Sequence, residues 1–241
     1  MGRLTVVLLL PASVACTSTP RNREDVAALN IPDSTVEIPG GTYTIGCSSL
    51  PMCLGNPTRK VTVRSFAIDR FQVRDEAYVK CERSLSCPQH WYFSLGVRDS
   101  DEVAVVRTAE ATAFCRWKGG HLTSAIEWEI AGRGNDARLY PWGNSWSADR
   151  LSRHGINRVF HIRKDYARVG TRPDLSSMFG VEDMSGNVPE FVYRGVAFEQ
   201  RGAPSLYFKD HLHTEVTAAD YSLVMTHSVF ANTVAAFRCA Y

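Results

Sequence analysis

The chain has no long apolar run, no clustered charge and no C-x-x-C pair, and each absence weighs against a class of protein. The apolar stretch at the amino terminus, Leu4 to Leu10, falls far short of the roughly 20 residues that a membrane-spanning helix needs. With 27 basic and 25 acidic residues the net charge is +2, and basic residues never run beyond two in a row. Nothing here builds the positive surface that nucleic acid requires, so no nucleic-acid partner is expected. Without a C-x-x-C pair, a structural reading of the cysteines is stronger than a metal reading. Internal repeats and low-complexity tracts are also absent. What remains is ordinary for a folded domain: 241 residues, 44% hydrophobic and 22% charged.

The amino terminus reads as a targeting segment. Arg3 supplies positive charge, the short apolar run follows, and the small residues Ala12, Ser13 and Ala15 precede Cys16. Ser13-Val14-Ala15-Cys16 resembles a bacterial lipobox, in which the cysteine is lipidated and becomes the new terminus. Ordinary signal cleavage after Ala15 fits the same residues, and lipidation of Cys16 is the favoured reading. Residues 1–15 are thus a signal peptide, 16–34 a lipidated cysteine with a polar tether, and 35–241 the folded domain. Both alternatives place the chain in a bacterial cell envelope or outside it. Thr17, rather than aspartate, after Cys16 favours the outer membrane.

Seven cysteines are an odd number, and setting Cys16 aside leaves six, which allow fifteen pairings. Spacing narrows them. Cys47 and Cys53 bracket a short loop containing Pro51, and Cys81 and Cys87 bracket another at the end of an expected helix. Six residues of continuous helix would separate that pair by ~9 Å, too far for a disulfide, so the helix must end between them. Cys115 and Cys239 remain, and would close a loop of more than a hundred residues.

Alternation around Pro39-Gly40-Gly41 predicts two short strands across a turn, and Val61 to Ile68 predicts one further strand. A helix follows over Val73 to about Arg83, with Val73, Ala77 and Cys81 inward. Another spans about Thr108 to Lys118, its stripe Ala109, Ala113 and Trp117, ended by Gly119-Gly120. Ser124-Ala125-Ile126-Glu127 is a capping box that opens a third helix, stopping near Gly132 or Gly134. Beyond Leu139, Gly, Pro, Asn and aromatics dominate until Val234 to Cys239, expected to be a terminal strand. Three short helices among short strands and long loops imply an α+β fold.

Several segments carry a family resemblance. They are Ile38-Pro39-Gly40-Gly41-Thr42-Tyr43 with Ile45-Gly46; Phe66 to Val73; the stretch A-F-C-R-W-K-G-G-H-L-T-S-A-I-E-W-E-I-A-G-R-G from Ala113 to Gly134; Tyr140-Pro141-Trp142-Gly143-Asn144; and Phe179 to Val188. In this order, from about Val36 to Cys239, they resemble the formylglycine-generating enzymes, also called sulfatase-modifying factors. The resemblance implies a C-type-lectin-like variant fold with little regular structure, held partly by calcium. It also implies a disulfide from a helix cysteine to the last strand, which here is Cys115 to Cys239. Asn187 and Glu190 match calcium ligands of that family, and Asn157 and Asp174 fall where a second calcium site would lie. Hard oxygen donors of this kind suit calcium.

The family oxidises a sulfatase cysteine with oxygen and a copper ion held by two thiolates, a soft donor pair suited to Cu(I). Those cysteines lie five residues apart just before the terminal glycine-phenylalanine-arginine block. The matching stretch here, Asp220 to Phe237, contains no cysteine. Arg194-Gly195-Val196-Ala197-Phe198 stands where the family has arginine-glycine-glycine-serine-tryptophan. The other chemistry-bearing residues are weak: His211-Leu212-His213 reads as two exposed loop histidines, Glu127 is explained as a cap, and Trp142 as a turn or core anchor. The expectation is a catalytically degenerate member that binds or scaffolds, with an unidentified protein or small molecule as partner and the membrane reached through its lipid. The alternative is an active formylglycine-generating oxidase, and only then does copper enter.

Overall fold

The computed structural model describes residues 35–46, 57–90, 102–145, 168–185, 188–195, 197–202, 223–225 and 234–241. The first two strands, β1 (Thr35–Ile38) and β2 (Gly41–Ile45), form as expected, but they do not pair with each other. The single strand expected over Val61 to Ile68 is likewise divided, into β3 (Arg59–Val63) and β4 (Phe66–Asp69). β1 pairs antiparallel with β4, and β2 with β3. Two bends therefore lie side by side, and a single ladder turns a corner. Gly40 marks that corner: a Cβ there would sit 2.9 Å from the Ser65 nitrogen and 3.3 Å from the Arg64 carbonyl carbon. Only glycine lets the two backbones approach so closely.

Helix α1 (Asp75–Arg83) buries Ala77, Tyr78, Val79 and Cys81. Helix α2 (Thr108–Trp117) has the expected span, but its inward face differs from the expected stripe. Ala111, Phe114 and Cys115 are buried with Glu110, whereas Ala109 is exposed and Ala113 and Trp117 are only half-buried. The bulk of Phe114 and the bond from Cys115 turn this face inward. Next come β5 (His121–Leu122) and α3 (Ala125–Arg133), which opens on the expected capping box. The Glu127 amide donates to Ser124 Oγ at 3.2 Å, and the Ser124 amide donates to Glu127 Oε2 at 2.8 Å. Gly134, with φ of 69°, ends the helix.

Strands β6 (Glu190–Arg194), β7 (Ala197–Arg201) and β8 (Leu223–Met225) form an antiparallel sheet. The terminal strand is shorter than expected: β9 covers only Cys239–Ala240, inserted between β4 and β5. Ala235 and Ala236 make single bridges instead, to Val106 and Glu190. The result is an α+β fold with small sheets and short helices. No helix among the described residues is long and apolar enough to cross a membrane.

The core has two main parts. One gathers Tyr78, Phe114 and Phe237, the last two edge to face at 5.4 Å, around both described disulfides. The other surrounds Trp128, fully buried on α3, with Ile38, Ile45, Ile68, Met184 and Val192. The disulfides are Cys81–Cys87 and Cys115–Cys239, as spacing suggested. The first ends α1 and starts a loop that comes back to the helix through His90. The His90 amide and Nδ1 lie 2.8 and 2.6 Å from Glu82 Oε1, and Nε2 lies 3.2 Å from Asp75 Oδ1.

His90 is 2% exposed, and its edge packs against the Tyr78 ring. Burial disfavours the imidazolium, but the Asp75 and Glu82 carboxylates outweigh burial and raise its pKa above the ordinary 6.5. A raised histidine pKa stabilises the fold fully below the unfolded value, and that stabilisation is lost as pH climbs through the native one. The melting temperature should therefore fall as pH rises above 6.5, and His90→Gln should flatten this part of the profile. Thermal melts of both proteins at matched ionic strength measure the difference.

Candidate functional site

The segment before β9 carries Arg238 into the middle of the molecule, where its side chain is 0% exposed. A guanidinium has five N–H donors, and all five have acceptors here. Nε donates to Glu190 Oε2 at 2.7 Å and Nη2 to Glu190 Oε1 at 2.6 Å, a two-pronged pairing. Nη2 also reaches the Glu182 carbonyl at 2.8 Å. Nη1 donates to the carbonyls of Asp69 and Arg70, at 3.2 and 3.1 Å. Burial opposes the charge on Arg238, but Glu190, Asp183 and Asp69 more than offset it and raise its pKa.

Glu190, at the start of β6, is equally saturated. Oε1 accepts from Arg238 and from Gln72 Nε2 at 3.1 Å, and Oε2 accepts from Arg238 and from Trp128 Nε1 at 3.0 Å. A carboxylate offers about four acceptor positions, and these four bonds use them. Next in the chain, the Cys239 amide donates to Asp69 Oδ2 at 3.0 Å, while Asp69 Oδ1 takes Lys118 Nζ and the Tyr241 hydroxyl, each at 3.2 Å.

Beside this centre, Arg172 is paired to Asp183 through Nε and Nη2, at 3.0 and 2.5 Å from Oδ1. Asp183 has a φ of 58°, a left-handed turn whose carboxylate also accepts the Gly170 amide at 3.2 Å. Glu182 Oε1 meets Arg70 at 3.0 Å. Burial pushes its carboxyl up in pKa, Arg70 pulls it down and Asp183 pushes it up again, for a net rise. On the far side of α3, His121 lies 3.1 Å from both Glu127 oxygens, and that hydrogen bond raises the histidine's pKa against partial burial. Trp142 is the turn anchor expected, stacked on Tyr140 at 5.2 Å.

Comparison with known proteins decides what this frame belongs to. The model of the sulfatase-modifying factor enzyme 1-like domain matches residues 22–209. The chain belongs to this family. The inactive C-alpha-formylglycine-generating enzyme 2 of Bos taurus is 29% identical, with 65% of this chain and 69% of that protein covered. The mouse (Mus musculus) protein of the same name is 27% identical over 48% of this chain, which spans about half of its length, 53%. The formylglycine-generating enzyme of Mycobacterium tuberculosis is 27% identical, covering 65% of this chain and 72% of that enzyme. Among solved structures, Treponema denticola variable protein 1 superposes with a TM-score of 0.61 at 14% identity, over 86% of this chain and 94% of that one. CarF does so with a TM-score of 0.55, again at 14% identity, over 87% and 98%.

The terminal cysteine makes the disulfide that the family resemblance implies. Cys239 is bonded to Cys115, across 124 residues. Cys81 and Cys87 are bonded to each other, and no cysteine occurs between Cys115 and Cys239. Cys16, Cys47 and Cys53 lie outside the described residues, as do Asn157, Asn187 and the histidines of His211-Leu212-His213. Of the remaining calcium candidates, Asp174 is exposed on a single helical turn, Pro173–Leu175. Glu190 does not fit a calcium ligand, because the lone pairs a cation would use are occupied by Arg238, Trp128 and Gln72. No cluster of three or more His, Cys, Asp or Glu side chains suited to a metal occurs among the described residues.

Sequence reasoning did not find the Arg238–Glu190 pair, the Arg172–Asp183 pair, or the buried group formed by Glu129, Arg133, Glu199, Arg201 and Arg194. Glu129 and Arg133 were the readable part, being one helical turn apart on α3. The other partners meet only across the fold.

Two outcomes follow for stability. Cys115→Ser should leave Cys239 reactive toward a thiol probe and lower the melting temperature, since a crosslink of this span contributes up to ~4–5 kcal/mol in the chain-entropy treatment. Glu190→Gln strands a buried guanidinium and should destabilise by about 3–5 kcal/mol. Melts of that variant with calcium and with chelator should show the same loss; a loss confined to the calcium buffer would return Glu190 to a metal.

Proposed function

We propose that this sulfatase-modifying factor domain has lost the family's oxidation chemistry and acts by binding or scaffolding in the bacterial envelope. One observation carries the reading: Cys239 is committed to Cys115 and no other cysteine lies between them. A Cu(I) site of the family's kind needs two thiolates side by side, and the carboxyl-terminal part of the chain offers none.

Similarity alone does not choose. Identities of 27–29% to mammalian proteins named inactive stand beside 27% to a mycobacterial protein named as the enzyme. The cysteine inventory favours the first. The fold is taken to be the C-type-lectin-like variant, supported by the small sheets and short helices of the described residues and by their two disulfides. A base tied in this way, with variable loops, suits recognition.

Export rests on Arg3, the Leu4 to Leu10 run and Ala15-Cys16, with Cys16 as the lipid anchor and residues 16–34 as tether. Cys47 and Cys53 complete the set as a third disulfide. Calcium is left out of this proposal, because Glu190 is already saturated by protein donors.

The purified, oxidised protein should show no free thiol after Cys16 and less than one equivalent of bound Cu(I). It should also leave a sulfatase-type Cys-x-Pro-x-Arg peptide unchanged under oxygen. Thiol titration, anaerobic Cu(I) titration and mass analysis of the peptide measure these. Two free thiols taking up one Cu(I), with conversion of the peptide, would establish the oxidase instead.

A further inference from the structure

Between the start of α3, the end of β2 and the β6–β7 hairpin lies a cavity of about 220 Å³. Glu129, Arg201 and Arg194 line it, and they belong to a chain of alternating charges that Arg133 and Glu199 complete behind the wall. Arg133 Nη1 lies 2.9 Å from Glu129 Oε1, and Arg201 Nη1 lies 2.8 Å from Glu129 Oε2. Arg201 Nε continues to Glu199 Oε2 at 3.2 Å, and Glu199 Oε1 ends the chain at Arg194 Nη1, 2.5 Å away. Four of these side chains are nearly inaccessible, whereas that of Arg194 is 38% exposed at the cavity mouth.

Three guanidiniums face two carboxylates, so the chain carries one surplus positive charge. Glu129 has little capacity left, because Oε1 also accepts the Gly46 amide. Burial pushes the Glu129 carboxyl up in pKa, but Arg201, the Gly46 amide and Arg133 outweigh burial and lower it, so it stays ionised at neutral pH. The surplus emerges at Arg194, whose Nε and Nη2 have no partner among the described residues. Around it the wall is apolar: Ile45, Ala125 and Ile126 line the cavity, and Tyr193 stands 43% exposed at the mouth beside Phe198.

We propose that this cavity binds a small carboxylate with an apolar body, its carboxylate gripped by the free edge of Arg194 and its body held against Tyr193 and Ile126. The proposal rests on the binding role argued above and names its ligand class. The apolar wall selects an anion with an apolar body over inorganic phosphate, while Arg59, which also lines the cavity, adds to the positive charge around it. Size selects a compact ligand, since a cavity of about 220 Å³ is below the ~300–1,000 Å³ of sites for drug-sized molecules. A guanidinium fork matches a carboxylate edge to edge.

The test titrates the oxidised protein with benzoate, benzamide and inorganic phosphate, following aromatic signals by NMR. Benzoate should saturate and weaken with salt, and both controls should bind at least ~10-fold more weakly. Arg194→Gln should weaken benzoate at least ~10-fold with the fold intact by its spectrum, while Tyr193→Ala provides a second variant away from the ion pairs. An acetyl-Gly-Phe dipeptide distinguishes a peptide end from a free acid: tighter binding than benzoate assigns the chain end as the source. Benzamide or phosphate matching benzoate, no saturation, or indifference to both substitutions would overturn the proposal. Copper uptake by two thiols would instead overturn the binding role, so the two failures are separate.

Discussion

Five donors on one buried arginine hold the centre of this domain together. Arg238 ties the end of β4 through the Asp69 and Arg70 carbonyls, the Glu182 loop through its carbonyl, and β6 through Glu190. Glu190 extends the same junction to α3 through Trp128 and to Gln72 just before α1. Burying such a pair in place of apolar side chains is often no net gain in stability. What it provides is geometry. Every one of these acceptors must be in position for the guanidinium to be buried at all, so separately small sheets are forced into one arrangement. Short strands of two to five residues could not hold that arrangement by their ladders alone.

The disulfide next to this junction has the complementary effect. Cys115–Cys239 fixes α2 to β9, one residue beyond Arg238, and so holds the terminal segment where the arginine can be buried. Covalent and ionic constraints therefore converge on three consecutive residues, Arg238, Cys239 and Ala240, with Ala240 paired to both Ile68 and His121. A sulfur used in this way cannot also be a thiolate ligand. In this domain the terminal cysteine keeps the frame closed, and no other cysteine occurs between it and Cys115.

How much of this was legible depended on how local each signal was. The capping box Ser124/Glu127, the carboxyl-terminal ends of α1 and α2, and the Cys81–Cys87 pairing rest on residues a few positions apart, and all form as expected, while α1 starts at Asp75 rather than Val73. The inward face of α2 was misread because alanine spacing suggested Ala109, Ala113 and Trp117. The decisive residues are Phe114, which fills the aromatic core, and Cys115, whose partner lies 124 positions away. Val61 to Ile68 reads as one strand by its alternating stretches, but the alternation slips phase at Arg64-Ser65, and the bend there packs against Gly40. Glu190 is linked to calcium by the family resemblance of the segment Asp183 to Glu190. Its true partners, Arg238, Trp128 and Gln72, are 48, 62 and 118 positions distant, and no spacing along the chain announces them.

The two buried ionic networks differ in a way that separates frame from site. At the centre, donors and acceptors match one for one, so the Arg238–Glu190 junction has nothing to offer a ligand; adding any group there would break a bond already made. The chain from Arg133 to Arg194 ends unevenly, with its last guanidinium at the mouth of a cavity and only one of its nitrogens engaged by Glu199. A network that closes on itself specifies a fold, whereas one that terminates in an unmatched charge beside exposed aromatic surface has free energy still available for an incoming anion. The same scaffold thus contains a rigid ionic core, reached from α3 through Trp128, and an open-ended network that begins at the next residue, Glu129. Recognition chemistry can reside in the second without disturbing the first.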